Sequence, residues 1–280
     1  MGTSTSSSGP GPGVPYDPPW LDLLDMPGGI PGSGQAPNGV GPGNNNNQNP
    51  NPPNGVAPAR RFGPARRELG AFARTGSGDS FGRAVGHYSR TGMGGARNAA
   101  ARMRTSARTA AGLVSFLQAA RNGTDAQVNQ WLNSLAARAP TVQDVVDEVI
   151  RQLTTSGGSL EEESCKDSMA QATVELMDIQ PSVDLLNMSD GDIWSLVEIF
   201  LAQEACNRLQ LDIGQLFESS RLDPRLTVAR VNEMHDYLRA ELSAQIRTIR
   251  QANPNPAPRQ LESTMLQALE STFAVYEGTL

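Results

Sequence analysis

From residue 96 onward, apolar side chains recur every three or four positions, which is the spacing of one face of an α-helix. Strand signals are absent, since no stretch shows sustained two-residue alternation bounded by hairpin turns. The longest regular row lies near the C-terminus and has steps of 3, 3, 4, 4, 4 and 3 residues: Val228, Val231, Met234, Leu238, Leu242, Ile246 and Ile249. The pattern therefore predicts an all-α fold, with a helical domain over residues 96–280.

Capping residues predict where these helices begin, because Ser, Thr and Asp accept hydrogen bonds from the first free backbone N–H groups. An Ala-rich helix is predicted over Ala96–Ala120, and the last helix follows a Pro-rich linker at 253–258. The other predicted starts are Thr124 and Thr141 for helices near 125–138 and 142–153, Ser159 with Glu162 for a helix to about Asp178, Ser189 or Asp190 for a helix over Ile193–Leu211, and Thr227 for the long helix. The apolar face expected to be buried in the last helix is Leu261, Met265, Leu269, Phe273 and Tyr276.

Residues 1–59 lack this periodicity and contain 12 Gly and 13 Pro, a composition typical of low-complexity sequence. We expect this part to be a disordered N-terminal tail. Its adhesive residues cluster around Pro18, Pro19, Trp20 and Leu21, where an aromatic anchor with neighbouring leucines is typical of a short linear motif. The alternative is that these residues are an apolar patch in the tail without a binding role.

Residues 60–95 form a predicted Arg/Gly-rich arm, in which Gly recurs every few positions between arginines and aromatic rings. Each Gly costs a helix up to ~1 kcal/mol relative to Ala, so we expect an extended or broken segment that orders against a partner. The residues of the arm predicted to contact that partner are Phe81, Arg83, His87, Tyr88 and Arg90.

The net charge of minus six conceals a strong segregation along the chain. Residues 57–140 carry 13 Arg and three acids, a net charge of plus ten, whereas residues 141–280 carry 10 bases and 23 acids, a net charge of minus thirteen. The first 56 residues hold three acids and no base. This asymmetry indicates either a basic arm for an acidic partner or an arm that lies on its own acidic domain.

Three arginines of the predicted Ala96–Ala120 helix, Arg97, Arg104 and Arg108, lie within about 40° of one another at 100° per residue. This arginine stripe has two interpretations. Arg with interleaved Gly and aromatic residues can follow a nucleic-acid backbone, and the same guanidinium groups can pair with the carboxylates of a protein. The overall acidity weighs against non-specific DNA binding and favours a protein surface or the chain's own acidic half.

The chain holds few residues that are typical of catalysis: two His, two Cys and one Lys, without the spacing of zinc, nucleophile-elbow or phosphate-loop motifs. The two thiols, Cys165 and Cys206, cannot supply four zinc ligands and are expected in or beside the core. We therefore expect no enzyme activity, no metal and no cofactor. Because the chain lacks an apolar run of ~20 residues and a secretory signal, we expect a cytoplasmic protein with no membrane contact.

The N-terminus offers a different kind of chemistry. Removal of Met1 leaves Gly2 as a terminus without a side chain, and Ser6 completes a formal N-myristoylation pattern. No polybasic segment, which would add to membrane binding, lies near that pattern, so we favour another interpretation. A small free terminus on a flexible tail of about 55 residues can enter a deep enzyme pocket, which makes Gly2 a candidate for a modified substrate group.

The chain resembles the QatB family of the bacterial Qat anti-phage defence system in the order of several low-complexity elements. The resemblance is clearest over residues 1–21 and 75–120. This chain has a longer Asn/Pro spacer than we expect for the family. The elements, in order, are Met1-Gly2-Thr3-Ser4, a Ser/Gly/Pro tract, Pro18-Pro19-Trp20, the Gly/Arg segment, Ala99-Ala100-Ala101-Arg102 and the Ser115-Phe116-Leu117 helix.

The resemblance implies a non-enzymatic component encoded beside an ATPase, a QueC-like enzyme and a TatD-like nuclease, all three being expected partners. QueC enzymes use ATP to activate a carboxylate, so the QueC-like (QatC-like) partner is expected to join an activated deazapurine to an amine. The positions carried over from the family are Met1, Gly2, Thr3 and Ser4, with Gly2 as the acceptor. The alternative function is a nucleic-acid-binding adaptor that brings the nuclease to phage DNA through the arginine stripe.

Overall fold

The computed structural model describes residues 60–138, 141–153, 160–215, 217, 223–254 and 256–280. These residues form helices and contain no strand, which confirms the predicted all-α fold. The predicted tail and its linear motif lie outside the described residues. The helices are α1 Gly63–Thr75, α2 Gly78–His87, a π-helical turn Tyr88–Met93, α3 Ala96–Ala101, α4 Arg104–Asn122, α5 Ala126–Ala136, α6 Val142–Leu153, α7 Leu160–Ile179, α8 Asp190–Ile213, α9 Pro224–Ala252 and α10 Pro258–Glu277.

Helix α8 is the central element and packs against α4, α7 and α9. A helix that is apolar around its whole circumference belongs in the interior of a fold. In α8 the buried apolar residues face all directions: Ile193, Trp194, Leu196, Val197, Ile199, Phe200, Leu201, Ala202, Ala205, Cys206, Leu209 and Ile213.

The apolar rows of the last two helices face this core. All five predicted residues of α10 are buried, and so are the central four of the α9 row: Met234, Leu238, Leu242 and Ile246. Val228, at the start of the α9 row, is 60% exposed. The apolar row of α9 is therefore longer than the part of the helix that its neighbours cover.

Two predicted helix starts are confirmed. Ser189 caps α8 in a reciprocal capping box with Asp192. Thr141 and Asp144 exchange hydrogen bonds in the same way at the start of α6. A third predicted cap, Ser159, lies outside the described residues.

Aspartate caps two helices for which the sequence pattern predicts threonine. Asp223 accepts hydrogen bonds from two backbone N–H groups of the first turn of α9, and Pro224 follows at a position where its missing N–H costs little. Asp125 caps α5 in the same manner. The prediction of Thr227 and Thr124 as caps is therefore wrong.

Residues 60–95 are largely helical, which contradicts the predicted extended or broken conformation. Helices α1 and α2 pack together, and α2 also packs on α10. The apolar side chains of this region are buried in the same core as those of the C-terminal helices: Phe62, Leu69, Phe72, Phe81, Val85, Tyr88 and Met93. The boundary between the arm and the helical domain at residue 96 stays a prediction.

The glycines of α2 allow this packing. Gly78, Gly82 and Gly86 recur every four residues and so share one helix face. A Cβ added at Gly78 would lie 2.8 Å from the hydroxyl oxygen of Tyr237, and one added at Gly86 would overlap the carbonyl oxygen of Tyr276. Close packing against α9 and α10 thus requires residues without side chains, and the resulting burial offsets the low helix propensity of glycine.

The predicted Ala96–Ala120 helix is divided into α3 and α4. Arg102 and Met103 form the turn between them, and the Met103 side chain is buried. Both helices pack on α10, so tertiary contacts override the uniform helix propensity of the sequence. None of the helices in the described ranges is long and apolar enough to cross a bilayer.

Candidate partner-binding surface

Phe81 and Tyr88, two of the predicted partner contacts, are buried in the chain's own core. The centroid of the Phe81 ring lies 5.4 Å from that of Tyr237 and 5.3 Å from that of Phe72. The Tyr88 hydroxyl donates to the Asp212 carboxylate at 2.8 Å, and burial, with the nearby charge of Asp212, raises the pKa of the phenol. Both rings therefore stabilise the fold and are not exposed to a partner in this structure, and their assignment as partner contacts stays a prediction.

The polar members of the same prediction lie nearer the surface. The Arg83 guanidinium pairs with the Glu68 carboxylate at 3.0 Å and also donates to the Ser80 hydroxyl. His87 is half-buried at the end of α2, whereas Arg90 is exposed on the π-helical turn. Of these side chains, Arg90 is the one most accessible to a partner.

The predicted stripe of Arg97, Arg104 and Arg108 is interrupted by the turn between α3 and α4. Arg97 is exposed on α3, Arg104 is half-buried at the start of α4, and Arg108 is exposed on the same helix. The Arg108 guanidinium lies 3.6 Å from the Glu262 carboxylate of α10. The three arginines therefore do not share one uninterrupted helix face.

A broader group of arginines takes the place of the stripe, and we call it the arginine surface. Its members are exposed and, within the described ranges, make no ion pair: Arg60, Arg67, Arg74, Arg90 and Arg97. Arg67 and Arg74 are seven residues apart and lie within about 20° of each other around α1. A guanidinium group offers five donors that match carboxylate and phosphate oxygens. The arginine surface is thus able to bind an acidic group.

Other basic residues of the N-terminal half contact the acidic half of the same chain. The Arg121 guanidinium pairs with the Asp190 carboxylate at 3.0 Å, and Arg66 donates to the carbonyl oxygen of Asp212 at 3.1 Å. With the Arg108 and Glu262 pair, these contacts join α1 and α4 to α8 and α10. Part of the charge segregation therefore serves the fold, and the arginine surface belongs to the part that remains exposed.

A buried carboxylate, which the sequence pattern does not reveal, lies between α4, α7 and α8. The Glu204 carboxylate accepts hydrogen bonds from the hydroxyls of Ser106, Ser164 and Ser168 at 2.6, 2.9 and 2.5 Å. The Cys165 thiol lies 3.3 Å from the same carboxylate. The one available signal is an acidic residue among the apolar positions of α8. Such a satisfied network joins three helices and needs no ligand.

The chemistry available at this buried network is limited. Burial raises the pKa of Cys165 to about 12 and that of Cys206 to about 11, so both thiols are protonated at neutral pH and poorly nucleophilic. Both are free and buried, which confirms their expected location. The cavity beside Glu204 has a volume of about 20 Å³, enough for one water molecule and too small for a substrate.

The fold and its surface define a class: an all-α protein with a satisfied polar network in its core and exposed arginines on its N-terminal helices. Among the described residues, no group of three or more His, Cys, Asp or Glu side chains is placed to hold a metal ion. The N-terminal residues carried over from the resemblance, Met1, Gly2, Thr3 and Ser4, and the predicted contacts Pro18, Pro19, Trp20 and Leu21 lie outside the described residues.

Comparison with known families gives a specific assignment. The family of the Qat anti-phage system associated protein QatB matches residues 94–276. The match covers more than half of the chain, so the chain belongs to this family and is associated with the Qat anti-phage system. Comparison with curated proteins and with solved structures gives no match. The matched range contains α3 to α10, whereas α1 and α2 precede it.

Proposed function

We propose that this chain is a non-catalytic docking and substrate component of its anti-phage system. It binds a QueC-like enzyme in the cytoplasm and presents Gly2 for modification by a deazapurine-type group. The observation that carries the proposal is the arginine surface, whose first member, Arg60, is the residue at which the N-terminal segment joins the described fold. A partner bound at this surface is therefore next to the point at which the N-terminal segment leaves the fold.

The reach of the N-terminal segment suits this role. Fifty-seven residues lie between Gly2 and Arg60. At ~3.3–3.6 Å per residue, such a chain extends at most ~200 Å, far more than the width of a partner enzyme. The QueC-like enzyme therefore does not need its active site beside the arginine surface.

The amine of Gly2 is chemically suited to acyl transfer. An α-amino group has a pKa of about 7.7–8.0, so about 10–20% of it is neutral and nucleophilic at pH 7. Its nitrogen attacks the activated carboxylate of the deazapurine and loses a proton to solvent, an amide bond forms, and the activating group leaves with the electron pair of the broken bond. The ATPase and the TatD-like nuclease of the system are proposed as further partners.

The geometry gives little support to the nucleic-acid adaptor. That function rests on Arg97, Arg104 and Arg108 acting as one stripe, but a turn separates α3 from α4 and Arg108 pairs with Glu262. Without a continuous row of cations, the specific argument for phosphate binding is lost.

The intact mass of the chain tests the proposal. We expect an added mass on the N-terminal peptide when the chain is expressed with all its genomic neighbours, and its loss when the QueC-like neighbour is removed. Fragmentation of that peptide should place the added group on Gly2. As a control, Ser33→Ala lies outside the N-terminal motif, leaves the terminal amine unchanged and should retain the adduct. Equal masses with and without the neighbour, showing only Met1 removal, would overturn the proposal.

A further inference from the structure

A cleft lies at the end of α8 opposite to the end that α1 contacts. It has a volume of about 370 Å³, within the size range of ligand sites. Prolines of the α9–α10 connection form one wall, and arginines from α4 and α9 line it. Its main lining residues are Arg121, Trp194, Arg250, Pro254, Pro256 and Leu261, and we call it the Trp194 cleft.

Arg250 is the distinctive group of the Trp194 cleft. Its guanidinium carbon lies 4.7 Å from the centroid of the Trp194 ring. Its Nε is buried and has no hydrogen-bond partner within the described ranges, where Arg250 also makes no ion pair. Arg121, by contrast, is already paired with Asp190. Arg250 therefore has one donor, Nε, without a partner, while its charge also interacts with the Glu198 carboxylate of α8. A carboxylate is the group that best matches such a donor.

The chain itself contains a segment of complementary chemistry. All the charged side chains of residues 1–59 are three aspartates, Asp17, Asp22 and Asp25. They flank Trp20, the only tryptophan in this part of the chain. An aromatic anchor beside carboxylates matches a cleft that has a proline wall and a guanidinium with an unpartnered Nε.

The length of the connecting chain permits the contact. Arg66 of α1 bonds to Asp212, which is 18 residues from Trp194 along α8, a distance of about 27 Å at 1.5 Å per residue. Thirty-three residues lie between Met26 and Arg60, and this stretch spans up to ~110 Å when extended. The segment can thus reach the opposite end of α8 within the same molecule.

We propose that residues 16–26 dock in the Trp194 cleft of their own chain. An aspartate of the segment pairs with Arg250, and Trp20 packs against the proline wall. Where the proposed function also holds, docking leaves residues 1–15 free and confines Gly2 to within ~50 Å of the cleft. A partner that binds the segment through Pro18 to Leu21 then competes with the cleft.

Fluorine NMR of the full chain labelled with fluorotryptophan tests this docking. The chain has three tryptophans, Trp20, Trp131 and Trp194, which are assigned by single replacement with Phe. A soluble gadolinium chelate increases the relaxation of exposed fluorines. If about 90% of molecules are docked, the enhancement at Trp20 is about tenfold smaller than in a free peptide of residues 14–28.

Substitutions on both sides of the contact sharpen the test. Arg250→Ala should restore most of the enhancement at Trp20, whereas Arg225→Ala, which removes the same charge from an exposed position at the other end of α9, should not. Replacing the three aspartates with Asn changes no residue of the described fold. It should expose Trp20 and shift the Trp194 resonance, while Trp131 stays unchanged.

Three results would overturn the proposal: a Trp20 enhancement equal to that of the free peptide, equal protection in the chain and in Arg250→Ala, or protection that falls on dilution. The last result would indicate docking between two copies. The experiment uses the chain expressed without its neighbours, so its outcome does not depend on modification of Gly2. Failure here and failure of the proposed function are therefore distinguishable.

Discussion

The N-terminal helices and the C-terminal helices reach the same core by different means. In α9 and α10, large apolar residues recur at helical spacing and bury their side chains. In α2, glycines recur at that spacing, and the helix backbone itself comes close to Tyr237 and Tyr276. Helices α9 and α10 are stabilised by large buried side chains, whereas α2 is stabilised by the close approach of its backbone to neighbouring helices.

This difference shows that low helix propensity does not establish an extended conformation. The free-energy cost of glycine refers to an isolated helix. A close approach between helices permits burial of aromatic rings, and the free energy gained by that burial can exceed the cost of glycine. The helices α1 and α2 also lie before the family match at residues 94–276, although their side chains belong to the same core. We expect them to unfold together with the matched region.

The largest effect should come from removing one ring in each region. Phe81→Ala in α2 and Phe200→Ala in α8 each delete a fully buried side chain, and each should lower the free energy of unfolding by about 3–5 kcal/mol. Urea unfolding followed by circular dichroism should show a single transition with the same slope for both variants.

A split transition would contradict this expectation. If Phe81→Ala produced an early, shallow transition and left the main midpoint unchanged, residues 60–95 would form a separable unit. Phe81→Leu and Phe200→Leu are milder substitutions for the case in which the alanine variants do not fold.

A smaller effect is expected from adding one methyl group to a helix. Gly86→Ala places a Cβ against the Tyr276 carbonyl oxygen and should lower the free energy of unfolding by about 1–3 kcal/mol. Gly70→Ala in α1, where the nearest atom is the end of the flexible Arg74 side chain, should be neutral or stabilising by up to ~1 kcal/mol. Equal effects of the two substitutions in thermal unfolding would remove the packing explanation for the α2 glycines.

The smallest effect concerns α5 and α6, which are joined by a polar contact. The Trp131 indole N–H donates to the Glu148 carboxylate at 2.9 Å, and hydrogen bonding from Arg151, followed by that from Trp131, lowers the pKa of Glu148 to about 2. The ordinary value in an unfolded chain is about 4.3, so the unfolded state takes up the proton first as the pH falls. The stabilisation is complete above pH ~4.3 and is lost as the pH falls through about 2.

Melting temperatures between pH 6 and pH 2.5 measure this contribution. Glu148→Gln should flatten the fall below pH 5, whereas Glu270→Gln, an exposed control on α10, should leave the profile unchanged. A Glu148→Gln profile parallel to that of the parent chain would show that the contact adds nothing.

The sequence pattern predicts those features that depend on spacing along one helix. The buried rows of α9 and α10, the Ser189 and Thr141 caps and the all-α class all follow from local periodicity or capping. It does not predict what depends on contacts between distant helices. The turn at Met103, the close approach at Gly86 and the burial of Phe81 arise from packing on α9 and α10, whose positions a single helix pattern does not contain.

The candidate surface shows the same division. The sequence identifies an excess of arginine but cannot determine which guanidinium groups find carboxylates, because ion pairs such as Arg108 and Glu262 join residues far apart in the chain. Arg67 and Arg74, which remain exposed, are distinguished from Arg66 only by their position around α1.

The Glu204 network fixes the alignment of three helices along their axes. Three serines and a cysteine from α4 and α7 meet one carboxylate of α8. If α4 or α7 slid by one turn, ~5.4 Å, the apolar contacts could re-form with neighbouring residues, but the hydroxyls would lose their acceptor. Packing alone permits several alignments of such helices, and one buried carboxylate selects among them.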